Sequence, residues 1–159
     1  VDALDVYLGA LDRTAKKETG REIIRITKEP SDLPKKTDET FVDKKAIASG
    51  WGRISDQSQG ATNLLRFIET EIMSNSACGR YFFGSVKSTN ICIRTKSTHK
   101  STCNGDSGGP LVVLDGDKPV LVGATSFGSG VGCEAGFPGV FTRVTSYLDW
   151  ISEHSDVKV

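Results

Sequence analysis
Apolar and polar residues alternate along much of the chain. Leu4, Val6 and Leu8 alternate with Asp5 and Tyr7 and stop at Gly9, which predicts a strand. The signal returns from Arg21 to Thr27 with Ile23, Ile24 and Ile26, after a charged turn around Lys16-Lys17-Glu18. Lys28 to Lys36 is polar, carries Pro30 and Pro34, and reads as a linker. Ala46-Ile47-Ala48 runs into Ser49-Gly50-Trp51-Gly52, a strand ending at a glycine turn with a packed Trp. Leu64 to Met73 is apolar-rich but alternates poorly, and is assigned to a strand; Asn90 to Ile93 is a short one. Leu111 to Leu114 and Val120 to Ser126 flank Asp115-Gly116-Asp117, a hairpin signal. Gly139 to Arg143 is a further strand. Thr145 to Ile151 suits a helix, with Tyr147, Leu148 and Ile151 on one face and Thr145 or Ser146 as its cap. The pattern predicts an all-β fold with a terminal helix.

Composition narrows the picture. A chain of 159 residues can bury one core. Lys+Arg 20 against Asp+Glu 20 leaves no net charge, so nothing argues for nucleic acid or a membrane as partner. No apolar run approaches the length of a membrane span. The chain opens at Val1 with no charged-then-apolar leader, as expected of a processed product or a fragment. The four cysteines, Cys78, Cys92, Cys103 and Cys133, allow three disulfide connectivities. Without a Cys-x-x-Cys pair and with two histidines, no metal site is expected. Two disulfides and an oxidising, extracellular compartment fit better.

One stretch carries candidate chemistry. Cys103-Asn104-Gly105-Asp106-Ser107-Gly108-Gly109-Pro110 sets a serine between glycines, after an aspartate and ahead of Leu111-Val112-Val113. Glycine lets a ligand approach the main chain closely. A serine so placed can stand exposed beside free N–H groups that hold developing negative charge, as acyl transfer requires. A plain Gly/Ser/Asp turn into a strand would share the composition. The eight-residue string is more specific than that.

Gly105 to Pro110 resembles the nucleophile motif of chymotrypsin-type (trypsin-like) serine endopeptidases. Ala48 to Gly52 resembles the family's Gly-Trp-Gly segment. Thr125-Ser126-Phe127-Gly128 resembles its substrate-pairing Ser-Trp-Gly edge, with Phe in place of Trp. Gly136 to Val144 and Tyr147 to Ile151 match the closing strand and helix, and Val6-Tyr7-Leu8-Gly9 resembles a first-barrel strand as insect members write it.

The resemblance implies a chymotrypsin-like double β-barrel. Residues 35–159 would form a largely complete second barrel with nucleophile loop, specificity pocket and C-terminal helix; 1–34 would be a truncated remnant of the first. Ser107 would be the nucleophile and the N–H groups of Gly105 and Ser107 the oxyanion hole. Asp106 would pair with a new N-terminal amine made by zymogen cleavage. The disulfides would be Cys78–Cys92 and Cys103–Cys133. Ser101, six residues before the nucleophile, would form the pocket base where trypsins carry an aspartate. Gly128 and Gly139 would line open walls, and Ser126 and Phe127 would pair with the substrate. Without a buried anion an Arg or Lys ligand loses its charge partner, so large apolar side chains are favoured. A carboxylate such as Glu134 reaching the pocket would shift that preference. No cofactor is implied; the partners implied are a protein or peptide substrate and protein protease inhibitors, in a secreted setting.

A serine hydroxyl needs a neighbouring base. In this family the base is the His of an Ala-Ala-His-Cys segment, oriented by an Asp in a later Asp-Ile-Ala-Leu-like strand. Neither segment occurs in these residues. His99, in the polar Lys96–Lys100 stretch, and His154, in the tail, are expected on the surface rather than as bases. The loss of whole segments predicts an incomplete copy, inactive alone, with unpaired edges in residues 1–27. The alternative is a protease-like binding module that uses the same pocket without catalysis.

Overall fold
The computed structural model describes residues 4–8, 22–26, 33–35, 38–116 and 118–157. The expected turn at Lys16-Lys17-Glu18 and most of the Lys28–Lys36 linker lie outside these residues. Strand β1 (Leu4–Leu8) pairs antiparallel with β2 (Glu22–Ile26), Leu4 opposite Ile26 and Leu8 opposite Glu22. These two strands form a sheet of their own.

The remaining strands are β3 (Lys45–Gly50), β4 (Arg66–Met73), β5 (Asn90–Ile93), β6 (Pro110–Asp115), β7 (Lys118–Phe127) and β8 (Gly139–Arg143). They close into a barrel in the order β3-β4-β5-β8-β7-β6, with β6 pairing back onto β3. Every pair is antiparallel. Closure leaves no barrel strand with a free edge. Alternation selects the inner face: Ala46, Ala48, Leu111 and Val113 are buried, while Ile47 and Val112 between them are only half-buried. Phe141 is the largest fully buried side chain. Gly123 makes room for it, since a Cβ there would come within 3.1 Å of Phe141 Cβ and Ile91 Cγ2.

β4 shows why its sequence pattern was blurred. Ile68, Thr70 and Ile72 do alternate inward, but Phe67 beside them is exposed. After it comes a helix that the sequence pattern did not suggest, α1 (Asn75–Gly79), whose Ala77 N–H donates to the capping Ser74 Oγ at 3.3 Å. Cys78 in α1 bonds to Cys92 in β5, and with Met73 and Val140 they form a second buried cluster. The expected terminal helix starts later than its apolar pattern indicated. Val144–Tyr147 form a 3-10 turn, and α2 (Leu148–His154) follows. Neither Thr145 nor Ser146 caps it: the N-cap is Tyr147, with no side-chain bond. Leu148 is buried, whereas Tyr147 stays exposed.

Arg143 at the end of β8 ties the approach to β3 onto the barrel. Its guanidinium donates to the carbonyls of Thr40, Ser88 and Asn90, and burial lowers its pKa. No helix among the described residues is long and apolar enough to cross a membrane.

If Phe141 anchors the barrel, Phe141→Ala lowers the unfolding free energy by about 3–5 kcal/mol. Phe83, fully exposed, serves as the control: Phe83→Ala stays within about 0.5 kcal/mol of the parent. Urea titration reads both as midpoint changes at constant slope. Equal midpoints for the two variants would contradict the assignment.

Candidate active site
Three loops meet beside the barrel: 51–62 after β3, 101–109 before β6, and 128–138 between β7 and β8. Asp106 joins the first two. The Gly52 N–H donates to its Oδ1 at 2.7 Å and the Cys103 N–H to its Oδ2 at 2.9 Å. A Cβ on either Gly50 or Gly52 would overlap this carboxylate. The glycines of Gly50-Trp51-Gly52 are therefore the room that Asp106 occupies. Arg53 N–H adds a bond to the Asn104 carbonyl at 2.9 Å.

With Asp106 turned inward, Ser107 is left exposed. Gly105 (φ +99) and Gly108 (φ +80) flank it in left-handed backbone that favours glycine. Gly108 N–H donates to the Thr125 carbonyl at 2.9 Å, and Thr125 N–H to the Gly109 carbonyl at 2.8 Å, which fastens the loop to β7. Among the described residues, the N–H groups of Gly105 and Ser107 donate to no protein acceptor.

The proposed pocket residues are brought partly together. Ser101 Oγ would lie 3.0 Å from a Cβ on Gly139, so base and one wall are adjacent. A Cβ on Gly128 would meet nothing within 4 Å. Ser126, Phe127 and Gly128 are exposed in sequence, and Ser126 sits in the irregularity where β7 shifts register against β8. Phe127 packs edge-on against Phe82, with ring centroids 5.5 Å apart. A cavity of about 560 Å³ lies on the Asp106 side of Ser101 and is also lined by Gly50, Phe67, His99 and Glu134. Of the five proposed substrate-binding residues, only Ser101 lines it. A second cavity, of about 640 Å³ beside β3 and β6, holds none of them.

Among the described residues, neither imidazole is hydrogen-bonded to Ser107. His99 Nδ1 meets the Glu134 carbonyl at 3.0 Å. His154 stacks on Trp150 and meets the Trp150 carbonyl through Nδ1 at 2.9 Å. The Glu134 carboxylate accepts the Asp56 N–H at 2.8 Å. Both disulfides are formed, Cys78–Cys92 and Cys103–Cys133.

The trypsin family model matches residues 17–151. The chain belongs to the trypsin family. It is 49% identical over 112 residues to Serine protease 1 of Drosophila melanogaster, covering 70% of this chain and 40% of that protein. It is 46% identical over 109 residues to brachyurin of Leptuca pugilator, covering 69% and 46%. A solved HL collagenase structure superposes with TM-score 0.72 at 37% identity, covering 87% of this chain and 60% of that one. The chain thus spans under half the length of these curated relatives. In the trypsin family's chymotrypsin-like fold, the closed barrel corresponds to the second barrel and the β1–β2 sheet to a truncated first.

One residue at this site was missed by sequence reasoning. Asp56 accepts the Cys133 N–H at 2.6 Å and the Glu134 N–H at 3.2 Å. Its partners lie 77 and 78 residues away, and no local motif marks it.

Removing the Asp106 carboxylate strands two N–H donors in a half-buried place. Asp106→Ala is expected to cost about 2–4 kcal/mol, from two hydrogen bonds to a charged group. Thermal and urea unfolding measure it. An unchanged midpoint would show that the loop does not depend on this carboxylate.

Proposed function
We propose that Ser107 is the nucleophile of a serine endopeptidase, and that these 159 residues alone do not sustain turnover. The observation that carries the reading is an exposed Ser107 beside the uncommitted N–H groups of Gly105 and Ser107, in a loop locked by Asp106. Ser107 Oγ attacks the carbonyl carbon of the scissile bond, and the Gly105 and Ser107 N–H groups hold the oxyanion. The hydroxyl proton passes to a base and then to the leaving amine. The ester at Ser107 is finally opened by water.

Among the described residues, the hydrogen bonds of His99 and His154 run to the Glu134 and Trp150 carbonyls and none reaches Ser107, which supports inactivity of the chain alone. In a triad enzyme, loss of the histidine costs about 10⁶ in turnover. Roughly 10³–10⁴ over water remains from the oxyanion hole and binding. The family's N-terminal amine would compete at Asp106 with the Gly52 and Cys103 N–H groups. Ser101, Gly128 and Gly139 form the primary pocket, and Ser126 to Gly128 is the edge that pairs with the substrate backbone. The hydroxyl at Ser101 and the open Gly128 wall favour large apolar side chains. Residues 1–34 belong to the first barrel and 35–159 to the second. Proteins or peptides are the substrates, protein inhibitors compete for the same edge, and the two disulfides favour an extracellular setting. The lack of an imidazole hydrogen-bonded to Ser107 among the described residues equally favours the second reading, a non-catalytic binding module with the same pocket.

A fluorophosphonate probe tests the chain directly. The expected result is slow, substoichiometric labelling that Ser107→Ala abolishes; stoichiometric labelling would overturn the inactivity. Peptide binding that survives Ser107→Ala, with no labelling even of longer forms that carry the His and Asp segments, would favour the binding module. Specificity has its own test. Ser101→Asp should tighten binding of benzamidine, an aromatic cation, by at least about tenfold through a new charge pair. Equal benzamidine affinity in both proteins would remove Ser101 from the pocket base.

A further inference from the structure
The segment between β7 and β8 connects the two proposed pocket walls, Gly128 and Gly139. It contains Gly130, Gly132 and Gly136. Its own backbone bonding is thin: among the described residues, the Gly132 N–H reaches the Ser129 carbonyl only at 3.4 Å. Its path is therefore set from outside. On one side, the Thr95 hydroxyl donates to the Phe137 carbonyl at 2.6 Å, His99 meets the Glu134 carbonyl, and Cys133 is bonded to Cys103. Asp56 acts from the 51–62 loop. Its carboxylate accepts the Cys133 and Glu134 N–H groups, and Glu134 Oε2 accepts the Asp56 N–H in return. Gly132, at φ +132, leaves its Cβ position to the Asp56 carboxylate, which no other residue could do without a clash.

We propose that Asp56 is a positioning residue for substrate recognition, clamping the middle of this segment and so fixing the spacing of the Gly128 and Gly139 walls. The proposal rests on reading Ser101, Gly128 and Gly139 as the primary pocket. Asp56 and Glu134 are exposed, so water competes for their bonds and their share in global stability is small. The effect is local. A glycine-rich segment released on one side samples more conformations, and a ligand must then order it, which weakens binding.

Asp56→Asn tests this with little change of shape, because the amide sets a donor against one of the two N–H groups. Wild type and variant are titrated with N-acetyl-L-phenylalaninamide and followed by NMR and amide exchange. The expected result is faster exchange at Cys133 and Glu134, displaced Gly128 and Gly139 resonances, and a Kd about tenfold higher, the worth of roughly one hydrogen bond. Val122 and Phe141, in the barrel core, should keep their protection. Gln57→Ala, an exposed neighbour, should leave all of these unchanged. Unmoved Gly128 and Gly139 resonances would overturn the proposal, as would a parallel loss of protection at Val122 and Phe141. If wild type does not bind the probe, the pocket reading fails by itself, and displacement of the two glycine resonances still decides the role of Asp56. Asp56→Ser is read by the same criteria should Asp56→Asn not fold.

Discussion
The Asp106 carboxylate is the point on which the site depends. It is half-buried between two loops that share no strand, and it accepts one N–H from each. Hydrogen bonds to an ionised acceptor are roughly twice as strong as neutral ones. They are needed here because the 101–109 loop has little apolar surface with which to hold a shape. Two consequences follow along the chain. Gly50 and Gly52 must lack a Cβ, and Ser107, one residue on, is turned out to solvent. The exposure of Ser107 thus follows from its neighbour's inward turn.

The same economy governs the other loops. The 128–138 segment has little internal structure, so the disulfide to Cys103, the His99 ring, the Thr95 hydroxyl and the Asp56 carboxylate give it a path. The three loops are linked in pairs: 51–62 to 101–109 through Asp106, 101–109 to 128–138 through the disulfide, and 128–138 to 51–62 through Asp56. A closed barrel beneath them, filled around Phe141, supplies the rigid base. Rigid elements carrying positioned loops are how this kind of fold builds a site. The arrangement leaves Ser107 exposed beside the N–H groups of Gly105 and Ser107. Among the described residues, neither imidazole is hydrogen-bonded to Ser107; those of His99 and His154 meet the Glu134 and Trp150 carbonyls instead.

By itself the sequence determined the family and the strands, and it singled out Ser107 as the candidate for chemistry. Local patterns, alternation in β1 and short apolar runs bounded by turn residues in β5, β6 and β8, made these strands legible almost to the residue. Gly105 to Pro110 was legible because glycine, aspartate and serine must occupy fixed offsets along one turn. The tertiary structure decided what depends on distant partners. Phe67 occupies an outward position of β4 and lines a cavity, and an apolar residue on the outer face is what blurred the alternation of Ile68, Thr70 and Ile72. α1 is a five-residue helix held by the Ser74 cap and a disulfide, too short to carry a helical period. α2 begins after a 3-10 turn, with Leu148 buried at its first residue and no side-chain cap bond to mark its start. Asp56 in the sequence is an ordinary exposed acid. Only folding brings it to Cys133 and Glu134, 77 and 78 residues on, where two N–H groups and the missing Cβ of Gly132 give its charge a place.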